Sequence, residues 1–418
     1  MNSKKTESGQ VLFLLVIGIV SLIGFTALAI DGGRLYSERR NAQGVSDTSA
    51  FTGALYIGRS SGIIDGTVIA DARLAALERA KDNGYDNADP DVIVEVTVVP
   101  DGYYYLVTVK ITSEIDPTFV QLVYSGPLKV EAKSVARVLP LDDLGFGQAL
   151  FSLNDSACKA MKFSGSSDID INGSGILSNS DCCPSAISFE GDSNTDIEDD
   201  VSAAGCVYTG GSAAYSASST NTGVPPVPPF NMPVPDCTGM NWGTSIYNGG
   251  TDTITFFPGK YDGLSFNKPA RTYNFEPGLY CIVDIPGFTI RNGNVNGDRV
   301  MFYVTIGRFK ITGGVVDLRA AHDSSITDMS GEVWNGMLVY MDPGNPNDVV
   351  INGNSGSYFQ GTIYAPSAEC QLNGNGITES IDLSLICDTI DIQGDAGLLI
   401  NFNEANHYQP PTSLDLVE

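Results

Sequence analysis

A phrase of the form apolar-x-apolar-x-Gly recurs through the second half of this chain, and its spacing limits the folds open to it. It reads Phe309-Lys310-Ile311-Thr312-Gly313, then Val349-Val350-Ile351-Asn352-Gly353, Cys370-Gln371-Leu372-Asn373-Gly374 and Ile390-Asp391-Ile392-Gln393-Gly394. The glycines lie 40, 21 and 20 residues apart, so the spacing predicts one degenerate rung between 313 and 353. Gly293, which closes Phe288-Thr289-Ile290-Arg291-Asn292, adds a further step of 20. Upstream, Phe257-Pro258-Gly259-Lys260-Tyr261 returns as Phe275-Glu276-Pro277-Gly278-Leu279-Tyr280, and Phe163-Ser164-Gly165 returns as Phe189-Glu190-Gly191.

A coil of about 20 residues is too short to bury its own apolar face, so it must be sealed by its neighbours. Asn-Gly pairs beginning at 172, 292, 296, 352, 373 and 375 supply corners where the backbone needs positive φ. A β-sandwich also uses Asn-Gly turns, but its strands recur every 8–12 residues or so without a longer register. The reading is therefore an all-β right-handed parallel β-helix (a solenoid) over 150–410, the hand following the usual crossover rule. A Pro-rich insert, 223–236, contains Val224-Pro225-Pro226-Val227-Pro228-Pro229 and reads as extended polyproline-type chain. It forms either a flap on the solenoid or a break between two stacks; a motif for Pro-binding modules is the other option.

The other strong signal is the uncharged run Val11–Ile30. As a helix it measures about 30 Å, enough to cross a bilayer core. Ala27-Leu28-Ala29 has the small-x-small form of a signal-peptidase site, but the run exceeds the usual apolar length and the helical pattern continues through Arg34, Leu35 and Arg39. The expectation is a retained transmembrane helix at 11–30 with residues 1–10 cytoplasmic. Lys4 and Lys5 before the run are balanced by Arg34, Arg39 and Arg40 after it, so local charge does not orient it. The cysteines do. Cys158, Cys182, Cys183, Cys206, Cys237, Cys281, Cys370 and Cys387 all follow the run, are even in number, and form no paired CxxC motif. Disulfides in an oxidising space fit them, which places the bulk of the chain outside the membrane, extracytoplasmic or at the cell surface. Cys370 and Cys387 fall one coil apart and make the firmest pair. Cys158, Cys183 and Cys206 recur at intervals that stack on neighbouring coils, stapling the solenoid end nearest the membrane module; Cys237 with Cys281 would then remain.

With 49 Asp+Glu against 23 Lys+Arg, the net charge is −26. That balance disfavours nucleic acid and anionic lipid surfaces as partners, since both need clustered cations, and the reading is no nucleic acid. The bilayer is met only through Val11–Ile30.

Between the apolar run and Pro140 lies an α+β module, 31–140. The helix continues to about Gly58, and a second spans about 67–81 and ends at Asn83-Gly84. A hairpin follows (92–99 and 103–111), then a helical turn at 118–124 and a third strand at 128–137. Gly9-Gln10 entering the apolar run, then Asp31-Gly32-Gly33-Arg34-Leu35-Tyr36, Arg39-Arg40-Asn41-Ala42-Gln43 and Ala50-Phe51-Thr52-Gly53-Ala54 occur in order. With Pro117-Thr118-Phe119 and Val130-Glu131-Ala132-Lys133-Ser134-Val135-Ala136, this series resembles the TadE/TadG-like Flp pilus-assembly proteins. Fibre-forming pilins carry Glu five residues after the processing glycine; here that position is Leu14, so the anchored, unprocessed TadG type is the closer likeness. Asn352-Gly353-Asn354-Ser355-Gly356 and Gly361-Thr362-Ile363-Tyr364-Ala365-Pro366-Ser367-Ala368 resemble the β-helical extension of some TadG-like proteins. The resemblance implies Flp/Tad pilus or envelope components as partners.

Catalytic, cofactor and metal sites are all read as none. His322 and His407 are too few for a His-based triad or zinc site. Asp168, Asp170, Asp196 and Asp199 are the acidic residues that neighbouring coils would bring together, as in β-helical polysaccharide-degrading enzymes, although alternating acids on a strand are ordinarily a solvated face. Asp323-Ser324-Ser325-Ile326-Thr327 matches the D-x-S-x-T pattern of von Willebrand A domains but lacks their alternating helices. The expectation is a membrane-anchored, extracytoplasmic structural protein of TadG-like pilus-assembly or cell-surface type, not an enzyme, presenting a disulfide-stapled β-helical rod and ending in a tail, 411–418. The alternatives are a cell-surface adhesin binding surface glycans, and a polysaccharide-degrading enzyme.

Overall fold

The computed structural model describes residues 8–60, 64–101, 104–122, 126–138, 147–166, 168–227, 232–322, 325–353, 356–374, 380–394, 397–409 and 414–417. The chain divides into two units, residues 1–141 with 411–418, and residues 142–410.

In the first unit a single helix, α1 (Ser8–Arg59), contains the apolar run and continues well beyond it. It is the one helix among the described residues long and apolar enough to cross a membrane. From Val11 to Ile30 nearly every large side chain is exposed, whereas Ala42, Val45, Ala50, Ala54 and Ile57 are buried. The second helix, α2 (Gly66–Asp82), starts at Asp65, whose carboxylate accepts the Thr67 and Val68 N–H groups. Asn83 caps its end and Gly84 turns away at φ 92°. Both helices lie on one face of an antiparallel sheet of β1 (Val92–Asp101), β2 (Tyr104–Ile115) and β3 (Leu128–Val138). Alternation decides which face: Val94, Val98, Val107, Val109, Ile111, Val130 and Ala132 point to the helices, while Lys110–Glu131 and Lys129–Glu114 pair across the other side. Residues 411–418 are not simply a tail. Leu414–Leu416 adds a fourth strand antiparallel to β3, and the Val417 N–H donates to the Val135 carbonyl. The reason is a free edge on β3 that Leu414 and Leu416 fit.

The second unit is a β-solenoid about ten coils deep, made of three parallel ladders. On the first face, Gly278–Ile282, Val300–Val304 and Met337–Met341 pair in turn, followed by 362–365, 384–387, Leu150–Ser152 and Ile176–Ser178. Alternate residues fill the interior, where Phe163, Phe189 and Tyr215 stack at 4.8 and 4.4 Å.

The coil order is not the chain order. The first coil in sequence sits in the middle: its strand Leu150–Ser152 pairs with 385–387 of the last coil on one side and with Ile176–Ser178 on the other. The chain winds outward from there to Ser219–Thr222, then starts again at the opposite end with Ser245–Asn248 and Thr253–Phe256 and winds back. The insert 223–236 links those two ends as a strap, of which residues 228–231 lie outside the described residues. Asn179 grips Val227 by both its N–H and its carbonyl, and Cys237 is bonded to Cys281. Six ladder steps separate those anchor points, about 29 Å at 4.8 Å per step.

The expected degenerate rung between 313 and 353 does not exist. Phe309 and Val349 are direct register partners, so one coil spans the interval and is swollen by the loop 320–336. The Asn375-Gly376 pair, Asn354-Ser355 and Asp323-Ser324 lie outside the described residues.

Candidate functional site

Where α1 leaves its apolar span, the motif residues meet. Asp31 is buried and its carboxylate accepts the N–H groups of Thr118, Phe119 and Val120 at 3.0, 2.8 and 2.6 Å. A carboxylate is suited to this place because the turn Val120–Leu122 begins there with unpaired N–H groups. One turn on, Arg34 donates to the Thr118 hydroxyl at 2.5 Å and to the Asp116 carbonyl at 3.4 Å. The Asp31–Arg34 and Pro117–Phe119 motifs are thus two halves of one clasp.

Further along, Glu38 accepts from Tyr85 and from Ser113, both at 2.9 Å, and Asn41 donates to the Tyr85 hydroxyl at 3.1 Å. Burial and the neighbouring Glu38 push the Tyr85 phenol well above its ordinary range, so it stays a donor. Gln43 reaches the Lys133 carbonyl at 3.2 Å. At Gly53 a Cβ would lie 3.0 Å from the Ala72 carbonyl and from Val107, which is why Ala50-Phe51-Thr52-Gly53-Ala54 keeps small residues against the alanines of α2. Glu38, Tyr85 and Ser113 carry no signal of their own in the sequence, because Glu38 stands among the polar residues Arg34, Ser37, Arg39, Arg40 and Asn41.

All eight cysteines are paired. Cys370–Cys387 and Cys237–Cys281 form as expected. The former crosses a corner between adjacent coils inside the core, and the latter ties the strap to the rod. The vicinal Cys182 and Cys183 bond in opposite directions, to Cys158 and to Cys206, and so join three successive coils.

The first face carries a second apolar layer on its outer side. Met301, Tyr303, Tyr340, Tyr364, Ile386 and Phe151 point away from the interior yet are buried. Trp334 of the loop 320–336 covers part of them, with its ring 5.4 Å from Tyr340 and 5.5 Å from Tyr408. Asp328 holds that loop closed by accepting from Ser330, Glu332, the Trp334 indole and the Asp236 N–H. Burial acts to raise its pKa, but those donors prevail and lower it. His407 rests on Asp382 at 2.8 Å with its ring parallel to Phe402; His322 is exposed.

Of the acidic residues, Asp170 and Asp196 are register partners on adjacent coils, Asp168 faces Asn194, and Asp199 takes a bond from Ser218. All four are exposed, and Asp196 is engaged by Ser216. Among the described residues, no group of three His, Cys, Asp or Glu side chains is placed to hold a metal ion.

Residues 9–55 match the family of putative Flp pilus-assembly TadE/G-like proteins. The N-terminal segment is TadE/G-like. The match ends inside α1, so the TadE/G-like stretch is the helix that carries Asp31, Arg34, Glu38, Asn41, Gln43 and Gly53. No curated protein matches the chain. Among solved structures, the competence-associated pilin ComZ from Thermus thermophilus is similar at 9% identity, covering 88% of this chain and 98% of that one, with a TM-score of 0.25. At that score the likeness fixes neither fold nor role.

Proposed function

We propose that this chain is a membrane-anchored, extracytoplasmic component of TadG-like pilus assembly, structural rather than catalytic, which carries a disulfide-stapled solenoid at the cell surface. The observation that supports this most is the continuity of α1. The TadE/G-like segment runs as one helix from an apolar span into a clasp of charged and polar side chains, with no break at which the module can swing. A helix of 52 residues is about 78 Å long, so it acts as a stalk as well as an anchor. Four disulfides, three between solenoid coils and one from the strap to a coil, support a rod built for an oxidising compartment.

The test is genetic and biochemical together. Deleting the gene should abolish or sharply reduce surface pili in its own host, and the tagged protein should co-purify with pilus components from envelopes. Full piliation in the deletion strain, with no pilus protein recovered alongside the chain, overturns the reading. Protease added to intact cells should also cut the solenoid; complete protection there refutes the extracytoplasmic placement.

A further inference from the structure

The two ends of the solenoid differ. At one end, Ser245–Asn248 folds back antiparallel on Thr253–Phe256, the last strand of the ladder that runs through 272–275 and 294–297, and Trp242 bridges to Lys260. At the other end the last strands are Val207–Thr209, Ala214–Ser216 and Ser219–Thr222. Each pairs on one side only, with Ile187–Phe189, Asn194–Ile197 and Asp200–Ala203 respectively. Among the described residues, nothing pairs with their outer edges. Among the described residues, the interior is also only partly covered at this end. Tyr215 closes the aromatic stack on Phe189, and it, Val207 and Ala217 are only partly buried.

A solenoid end of this kind is normally protected by charge, proline or a cap. Here residues 201–235 contain no charged side chain, in a chain that is 17% charged and carries a net −26. At that frequency about six would be expected in a run of 35. The terminal coil therefore adds no charge of its own to repel a second copy where its unpaired backbone is exposed.

We propose that this terminal coil is a pairing surface for the same coil of a second copy, end to end across a twofold axis. A twofold axis perpendicular to the stack reverses the winding, so strands meet antiparallel. One face pairs with its own copy while the other two exchange. The antiparallel strand and Trp242 on the opposite end block head-to-tail stacking, so the product is a closed pair and not a fibre. The partner's coil would bury Tyr215 and Val207 and satisfy the free backbone groups.

Sedimentation of the full chain in detergent across a wide concentration range should show a reversible dimer. Ala214→Lys with Ser219→Lys places like charges opposite each other and should weaken it about a hundredfold. Ile246→Lys at the capped end should leave it unchanged. On the wild-type chain, hydrogen exchange at 207–209, 214–216 and 219–222 should slow as concentration rises. A chain that stays monomeric, a dimer indifferent to the paired lysines, or a dimer whose terminal-coil amides exchange as fast as in dilute solution overturns the proposal.

Discussion

Gly165 tests both the corner geometry and the permuted coil order, because the residue it touches belongs to the last coil of the chain. Its φ is 109°, and a Cβ built there would lie 2.4 Å from the Gly394 carbonyl oxygen, a backbone atom that cannot rotate away. Gly223 is a matched control: its φ is also positive, 72°, but a Cβ meets nothing within 4 Å. Backbone strain alone costs about 1–3 kcal/mol for a non-glycine residue in such a region. Gly223→Ala should therefore lose about 1 kcal/mol. Gly165→Ala adds displacement of the neighbouring coil and should lose about 3 kcal/mol or more, comparable with overpacking a core. Urea unfolding of the full chain, followed by near-UV circular dichroism and by hydrogen exchange at 390–394, reads the difference. Equal losses at the two positions would refute the packing of coil 161–165 on coil 390–394.

Other outcomes follow from the clasp and the cover. Tyr85→Phe leaves the half-buried Glu38 short of a donor and should cost about 1 kcal/mol, with faster amide exchange in α1 around Asn41. Gly53→Leu should force α1 from α2 and cost about 1–3 kcal/mol, visible as lowered thermal stability with the solenoid's near-UV signal retained. Donors from His407, Asn406 and the Asn403 N–H outweigh the effect of burial and hold the Asp382 carboxyl below its ordinary range. Its stabilisation is thus full above the ordinary carboxylate pKa and lost as pH falls through the lowered one. Exchange at 402–408 should quicken only in acid, and Asp382→Asn should remove that dependence. Burial raises the buried phenols, Tyr364 to about 12. Their contribution is complete below pH about 10 and lost as pH climbs through the raised values, so alkaline titration should show late ionisation coincident with unfolding.

Much of this was legible in the residues. The 20-residue glycine period is written by corners, and each corner is a local backbone requirement. The apolar length of Val11–Ile30 and its continuation past Arg34 are likewise local. Cys370–Cys387 was readable because one coil of sequence equals one step of the ladder. Other features left weaker traces. The clasp depends on Asp31 meeting residues 118–120, far away in the chain, and neither partner advertises the other. The supposed missing rung was a loop whose length mimicked an extra period.

The amino-acid sequence alone determined that coils form, where they turn, and that a long helix leads into them. Only the tertiary structure decided the order in which the coils stack, the anchoring of Val227 on Asn179 and of Cys237 on Cys281 at the two ends of the strap, the burial of Tyr303, Tyr340 and Tyr364 beneath a cover, and the use of Leu414–Leu416 as a strand. The physical reason is that coils adhere through backbone ladders that are nearly the same at every edge. A ladder does not specify which coil it joins; the strap's reach, the Asn179 and Cys281 anchors, and side-chain fit at each interface do.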